Sequence, residues 1–106
     1  MRALSNAAIE GVIIHDGNIF LEANNISARM LGLESSEIRG KSFADYITPE
    51  YLEVVMTHFH DSYTQPYEVT LRRKNGTTFP VELRGRDAAY KGKKVRVLSI
   101  RDMTQY

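Results

Sequence analysis

The chain has 106 residues, of which 42% are apolar and 25% charged, and no cysteine. One compact domain fits that length and composition, which excludes a second domain and a disordered chain, and the missing thiols exclude disulfides, thiolate metal sites and cysteine nucleophiles. The net charge of +1 hides a division: residues 1–71 carry 4 basic and 10 acidic side chains, residues 72–106 carry 10 and 3.

Residues 4–10 predict a short helical turn, and Gly11-Val12-Ile13-Ile14-His15 a first strand rich in β-branched residues. Asp16-Gly17 suits a two-residue hairpin, whose central positions need positive φ, so Asn18 to Ala23 should return antiparallel. Asn24, Asn25 and Ser27 offer caps to a short helix over residues 26–31, which Gly32 stops. Ser35 to Gly40 repeats the pattern of cap, turn and glycine, and Phe43 to Ile47 adds another turn.

Thr48-Pro49-Glu50 predicts a longer helix, with a hydroxyl at the cap, proline where no N–H is needed and an acid at the positive end. It should run to Phe59 or His60, with Leu52, Val55, Met56 and Phe59 as one apolar stripe. From Tyr67 the period becomes two. Tyr67, Val69 and Leu71 alternate with polar residues, as do Phe79, Val81 and Leu83, with Asn75-Gly76 as the hairpin turn between them. Gly92 marks a third turn, and Val95 to Asp102 is apolar on both parities, as a central strand would be. The order is that of an α+β fold with its helices on one sheet face.

Apolar runs such as Val12-Ile13-Ile14 are short against the ~20 residues of a membrane span, and the N-terminus lacks a signal-peptide core. No direct membrane insertion is expected, and the expected location is cytoplasmic.

At this point the chain resembles a PAS domain, over nearly all of its length. Gly11 to Gly17 resembles the family's first strand and turn, and Ala23-Asn24 followed by Ala28-Arg29-Met30-Leu31-Gly32 its asparagine and first helix. Glu37-Ile38-Arg39-Gly40-Lys41 is similar to the next family segment, with Ser36 in place of a first acid. Tyr67-Glu68 and Leu71 to Val81 resemble the most diagnostic stretch, with Asn75 where Asp is commoner, and Asp102-Met103-Thr104 resembles the Asp-Ile-Thr signature that ends the last strand. The resemblance implies a single sensory domain over residues 1–106, with a five-stranded antiparallel sheet in order 2-1-5-4-3 and helices closing over one face. It also implies a signalling parent such as a histidine kinase, diguanylate cyclase or transcription regulator, whose C-terminal effector domain would lie outside this chain.

Catalysis is not expected, because the chain lacks a metal-ligand cluster, a glycine-rich phosphate loop and a thiol. Haem is disfavoured: at ~100° per residue His58 and His60 fall at the flanks of the apolar stripe, and the haem-binding relatives place their ligand nearer the helix start, about where Met56 stands. Flavin photochemistry needs a cysteine, and Lys41-Ser42-Phe43 stands where the resemblance implies it. Non-covalent flavin would meet Leu71, Val81 and Ile100 where polar partners are needed. No cofactor is therefore required, and a haem- or flavin-bearing gas or redox sensor remains the rival reading.

By alternation Val69, Leu71, Phe79, Val81 and Leu83 face the helices, opposite Leu31, Phe43, Met56 and Phe59, and either line a pocket or fill it. Polar candidates for ligand contact are His15, Asn24 and Tyr46, and the resemblance places Leu98 and Ile100 inward beside them. Val12, Ile14, Val95 and Val97 would then form an outer apolar patch, suited to a homodimer or an N-terminal helical cap. The resemblance assigns signal relay to Asp102 and Thr104. The basic cluster of Arg72, Arg73, Lys74, Arg84, Arg86, Lys91, Lys93, Lys94, Arg96 and Arg101 reads as a solvated hairpin face, because outward aromatics for base stacking are missing apart from Tyr90. Nucleic acid is therefore not an expected partner. The expected function is a sensory module that takes a small apolar ligand or pairs with a second copy, with a ligand-free scaffold as the plain alternative.

Overall fold

A computed structural model describes residues 10–104, so the helical turn expected over residues 4–10 lies outside the described residues except for Glu10. Strands β1 (Gly11–His15), β2 (Phe20–Ala23), β3 (Tyr67–Arg72), β4 (Thr78–Tyr90) and β5 (Lys93–Asp102) form one antiparallel sheet in the order β2-β1-β5-β4-β3. Between β2 and β3 the chain makes helix α1 (Asn25–Leu31), single 3₁₀ turns at Ser35–Glu37 and Phe43–Tyr46, and helix α2 (Pro49–Asp61). No described helix is long and apolar enough to cross a membrane.

The period-two pattern is realised as one inner face. Ile13, Phe20, Val69, Leu71, Phe79, Val81, Leu83, Leu98 and Ile100 each expose 2% or less and join Ala28, Leu31, Phe43, Tyr46 and Val55 in a single core. Burying side chains of this size stabilises the fold by about 1.5–3 kcal/mol each. Of the α2 stripe only Val55 is fully buried, while Leu52 and Met56 pack against the core from its rim.

Local chemistry departs from expectation at two turns and one helix start. The β1–β2 connection takes four residues rather than two, because Asp16 Oδ1 accepts from the N–H groups of both Asn18 and Ile19, each at 2.9 Å. The β3–β4 turn keeps Asn75-Gly76 but widens to residues 73–77, with Asn75 Oδ1 accepting from Thr77 N and Oγ1. Thr48 precedes α2 in extended conformation, yet its hydroxyl does not cap the helix; it faces the Thr70 carbonyl at 3.4 Å.

Two side chains of β5 are also corrected. Arg96 belongs to the inner parity with Leu98 and Ile100 and is 1% exposed, so it is not part of a solvated basic face. Val95 has the outer parity but is also 1% exposed, so it is not part of an open apolar patch. The sheet curls at this end: the Tyr90 phenol on β4 donates to Glu22 on β2 at 3.0 Å, reaching across the positions of β5 and β1.

Candidate functional site

At the curled end of the inner face, three polar side chains stand in one cross-strand row. His15 on β1 is the register partner of Arg96 on β5, and Arg96 is the register partner of Asp87 on β4. A register shift between Ile14 and His15 in the β1–β2 pairing sets the end of β1 apart from a regular strand.

His15 is fully buried. Its ring stacks on Phe43 with centroids 4.7 Å apart and leans on Phe59 at 5.5 Å. Gly17 N–H donates to Nδ1 at 3.0 Å, which fixes the neutral tautomer with its proton on Nε2. Nε2 is buried and has no hydrogen-bond partner. Burial is the largest effect on the imidazole, Asp16 opposes it and the neighbouring Arg96 charge adds to it, and together they bring the ring down to about 4, so it is neutral at pH 7.

The Arg96 guanidinium lies against the backbone of Gly85, where an added Cβ would stand 2.8 Å from one terminal nitrogen and 3.0 Å from Cζ. Nη1 donates to Asp87 Oδ1 at 3.0 Å and Nη2 donates to the Tyr63 carbonyl. Asp87 also accepts from the Ser62 hydroxyl and lies 3.9 Å from Lys94 Nζ. The Ser62 bond, with help from Arg96 and Lys94, holds its carboxyl below the ordinary carboxylate range. Lys94 Nζ donates to the Phe59 carbonyl at 2.9 Å and sits 5.1 Å from the centre of the Phe59 ring. Ser62 is left-handed, with φ 58, and its N–H returns to the His58 carbonyl, so α2 ends where Lys94 reaches its Phe59 carbonyl and Arg96 the Tyr63 carbonyl just beyond it. The result is a polar latch that pins the C-terminus of α2, and with it Phe59, over His15.

The other expected ligand-lining residues separate into two groups. Phe43, Tyr46, Leu71, Phe79, Val81, Leu83, Leu98 and Ile100 share the core, and Met56 packs on it. Apart from Tyr46 they and His15 leave 3% or less of their surface open where they are buried, so the interior is closely packed around them. Asn24 stands elsewhere. Its Oδ1 accepts from Val12 N, Ser27 N and Ser27 Oγ at 2.9–3.0 Å, capping α1 and tying it to β1, so its polar atoms serve the fold rather than the interior.

On the outer face, Val12 is 36% exposed and Ile14, opposite Val97, is half-buried like Val97 itself. Val95 is closed off from this patch. At the end of β5, Asp102 Oδ1 accepts from Thr104 N at 3.0 Å and Thr104 Oγ1 at 2.8 Å, while Met103 N–H donates to the Pro80 carbonyl.

Neither histidine of α2 is set up as a metal ligand. His58 is stacked on Tyr63 at 4.0 Å and meets Tyr67 edge-on, and His60 is exposed on the last turn. A haem iron needs a free ring lone pair, and in His15 the Gly17 bond occupies Nδ1 and leaves Nε2 protonated. Among the described residues no three His, Asp or Glu side chains converge to hold an ion.

Sequence reasoning missed Arg96 and Asp87. The available signal was Gly85, a glycine inside a long strand, which marks a close approach of another group to the backbone.

Comparison with known proteins agrees with this architecture. No curated protein matches the chain. Among solved structures, the PAS domain of an HTR-like protein from Haloarcula marismortui is 21% identical, with 95% of this chain and 87% of that one covered and a TM-score of 0.73. A PAS domain from Desulfitobacterium hafniense is 15% identical over 95% and 99%, with a TM-score of 0.79. The PAS domain of a LuxR-family transcriptional regulator from Burkholderia thailandensis, in complex with ethanol, is 14% identical over 96% of both chains, with a TM-score of 0.70. At these identities the likeness is one of fold. The model of the PAS domain family matches residues 9–105, and the chain therefore belongs to the PAS domain family.

Proposed function

We propose that this PAS domain is a sensory module whose input is a small molecule taken up on the inner face of the sheet, beside His15, and whose output leaves at the end of β5. The observation that carries the reading is the unpartnered Nε2–H of His15, a buried donor enclosed by Phe43 and Phe59. Leaving such a group unpaired costs about 1–3 kcal/mol, which an acceptor atom on a ligand would recover. Phe59 is the movable wall, because it sits on the last turn of α2 and is held by polar contacts at the domain surface rather than by the core. The Burkholderia thailandensis relative in complex with ethanol supports a small oxygen-bearing ligand in this fold.

Relay follows from connectivity. His15 pairs with Arg96 on β5, and β5 runs on to the turn made by Asp102 and Thr104, so a change beside His15 bears on the strand that leads to a C-terminal effector domain. The exposed Val12, with Ile14 and Val97, supports a homodimer through the outer face as the second arm of the same function.

The test is a titration of ¹⁵N-labelled protein with ethanol, followed at the His15 ring and at Phe59. Saturable shifts at both, lost in His15→Phe, are expected. Shifts at the surface alone would remove His15 as the input site.

A further inference from the structure

A cleft of about 300 Å³ lies between β2 and the tip of the β4–β5 hairpin, and neither His15 nor Phe59 lines it. That is the lower end of the size range of small-molecule sites. Ile19 and Leu21 form its apolar side together with Tyr90, all three half-buried. Three cations line the same cleft: Arg39 from the turn before Gly40, and Lys91 and Lys93 from the hairpin tip. Glu22 Oε2 accepts from Arg39 Nη2 at 2.7 Å and from the Tyr90 phenol at 3.0 Å, so one carboxylate oxygen ties two walls of the cleft together. Asp16 stands 3.7 Å from Lys93. Among the described residues no carboxylate pairs with Lys91, whose ammonium lies 5.5 Å from the centre of the Tyr90 ring. Three positive charges thus face two negative ones, and the surplus stands beside the apolar side. Lys91 is also left-handed, with φ 52, at a turn position that glycine or asparagine takes more readily. Backbone held against its residue's preference is a feature that gathers at ligand clamps, and here it sets a charge at an apolar cleft.

We propose that this cleft binds a small aromatic carboxylate, at a site separate from the inner face. The aromatic body covers Ile19 and Leu21 and pairs with the Tyr90 ring, which supplies most of the affinity. The carboxylate is met by Arg39, Lys91 and Lys93 as a group. All three are exposed, so each adds little and together they supply the preference for an anion. The site does not depend on the reading of His15 as the input.

The experiment is a titration of ¹⁵N-labelled protein with 2-naphthoate and 2-naphthamide at matched ionic strength, read at the backbone amides of Leu21, Gly40, Tyr90 and Lys91. The carboxylate is expected to shift all four saturably, and the amide to bind at the same place about fivefold or more weakly, as several screened ion pairs would give. Lys91→Asn combined with Lys93→Gln should bring the carboxylate down to the level of the amide and leave the amide unchanged. Both side chains are exposed and asparagine suits the left-handed turn, so this variant keeps its unfolding midpoint. Equal binding of the two compounds, or an anion preference that survives in the variant, would overturn the assignment. So would shifts scattered over lysines and arginines elsewhere, or no saturable shift at the four amides with either compound. Shifts at the His15 ring in place of the four amides would overturn this site while supporting the inner face as the input, so the two readings fail separately.

Discussion

His15 and Arg96 stand opposite one another on adjacent central strands, both inward and both closed to solvent, so a proton added to His15 would place a second cation beside a buried one. The imidazole is held down to about 4 against 6.5 when free, chiefly by burial and further by Arg96. The folded state therefore binds fewer protons than the unfolded chain between pH 6.5 and 4, and stability must fall as pH falls through that window. The shift is worth about 3 kcal/mol. Urea unfolding at pH 7 and pH 4.5 should show the loss, and His15→Phe should flatten it. An equal slope in wild type and variant would mean that other groups carry the acid sensitivity.

Gly85 and Arg96 are a second coupled pair. An alanine at position 85 would place its Cβ 2.8 Å from a guanidinium nitrogen that is bonded to Tyr63 and boxed in, so the side chain has no free direction in which to retreat. Gly85→Ala should cost about 1–3 kcal/mol, as overpacking does. In an Arg96→Met background the colliding atoms are gone, and the same substitution should cost about 1 kcal/mol less or better. A double-mutant cycle by denaturant unfolding measures the coupling. A cost independent of residue 96 would show that Gly85 serves the backbone and not the arginine.

Much of this fold was legible because burial here follows local periods. The alternation of Val69, Leu71, Phe79, Val81 and Leu83 placed them on one face, and each is buried in the core. Asn24 and Gly32 bracket α1 as their cap chemistry predicts. The polar row was illegible for the opposite reason. Arg96 is held inside by an acid nine residues away across a hairpin and by a carbonyl 33 residues away, and no local pattern announces either partner. Val95 escaped for a related cause: it is 1% exposed although it has the outer parity of β5, and the local alternation does not announce that burial.

Asn24 offers a prediction that separates fold from site. Its Oδ1 accepts three hydrogen bonds that join the start of α1 to β1. Loss of a helix N-cap costs about 1 kcal/mol, and the added bond to Val12 N–H should bring Asn24→Ala to about 2 kcal/mol. Ligand shifts at His15 should be unchanged in this variant. A loss of binding out of proportion to the loss of stability would return Asn24 to the site.

The outer face makes the last prediction. Val12, Ile14 and Val97 lie side by side on β1 and β5, flanked by Arg84 and Arg101, whose side chains are exposed. An apolar strip of this kind is covered when two copies meet face to face, and a charge placed in its middle would then be buried without a partner. Val12→Asp should therefore convert a concentration-dependent dimer to a monomer while leaving the unfolding midpoint of the monomer within about 0.5 kcal/mol, because Val12 is already 36% exposed. Sedimentation equilibrium across a wide concentration range reads the difference. Wild-type protein that stays monomeric throughout would retire the outer face as a pairing surface.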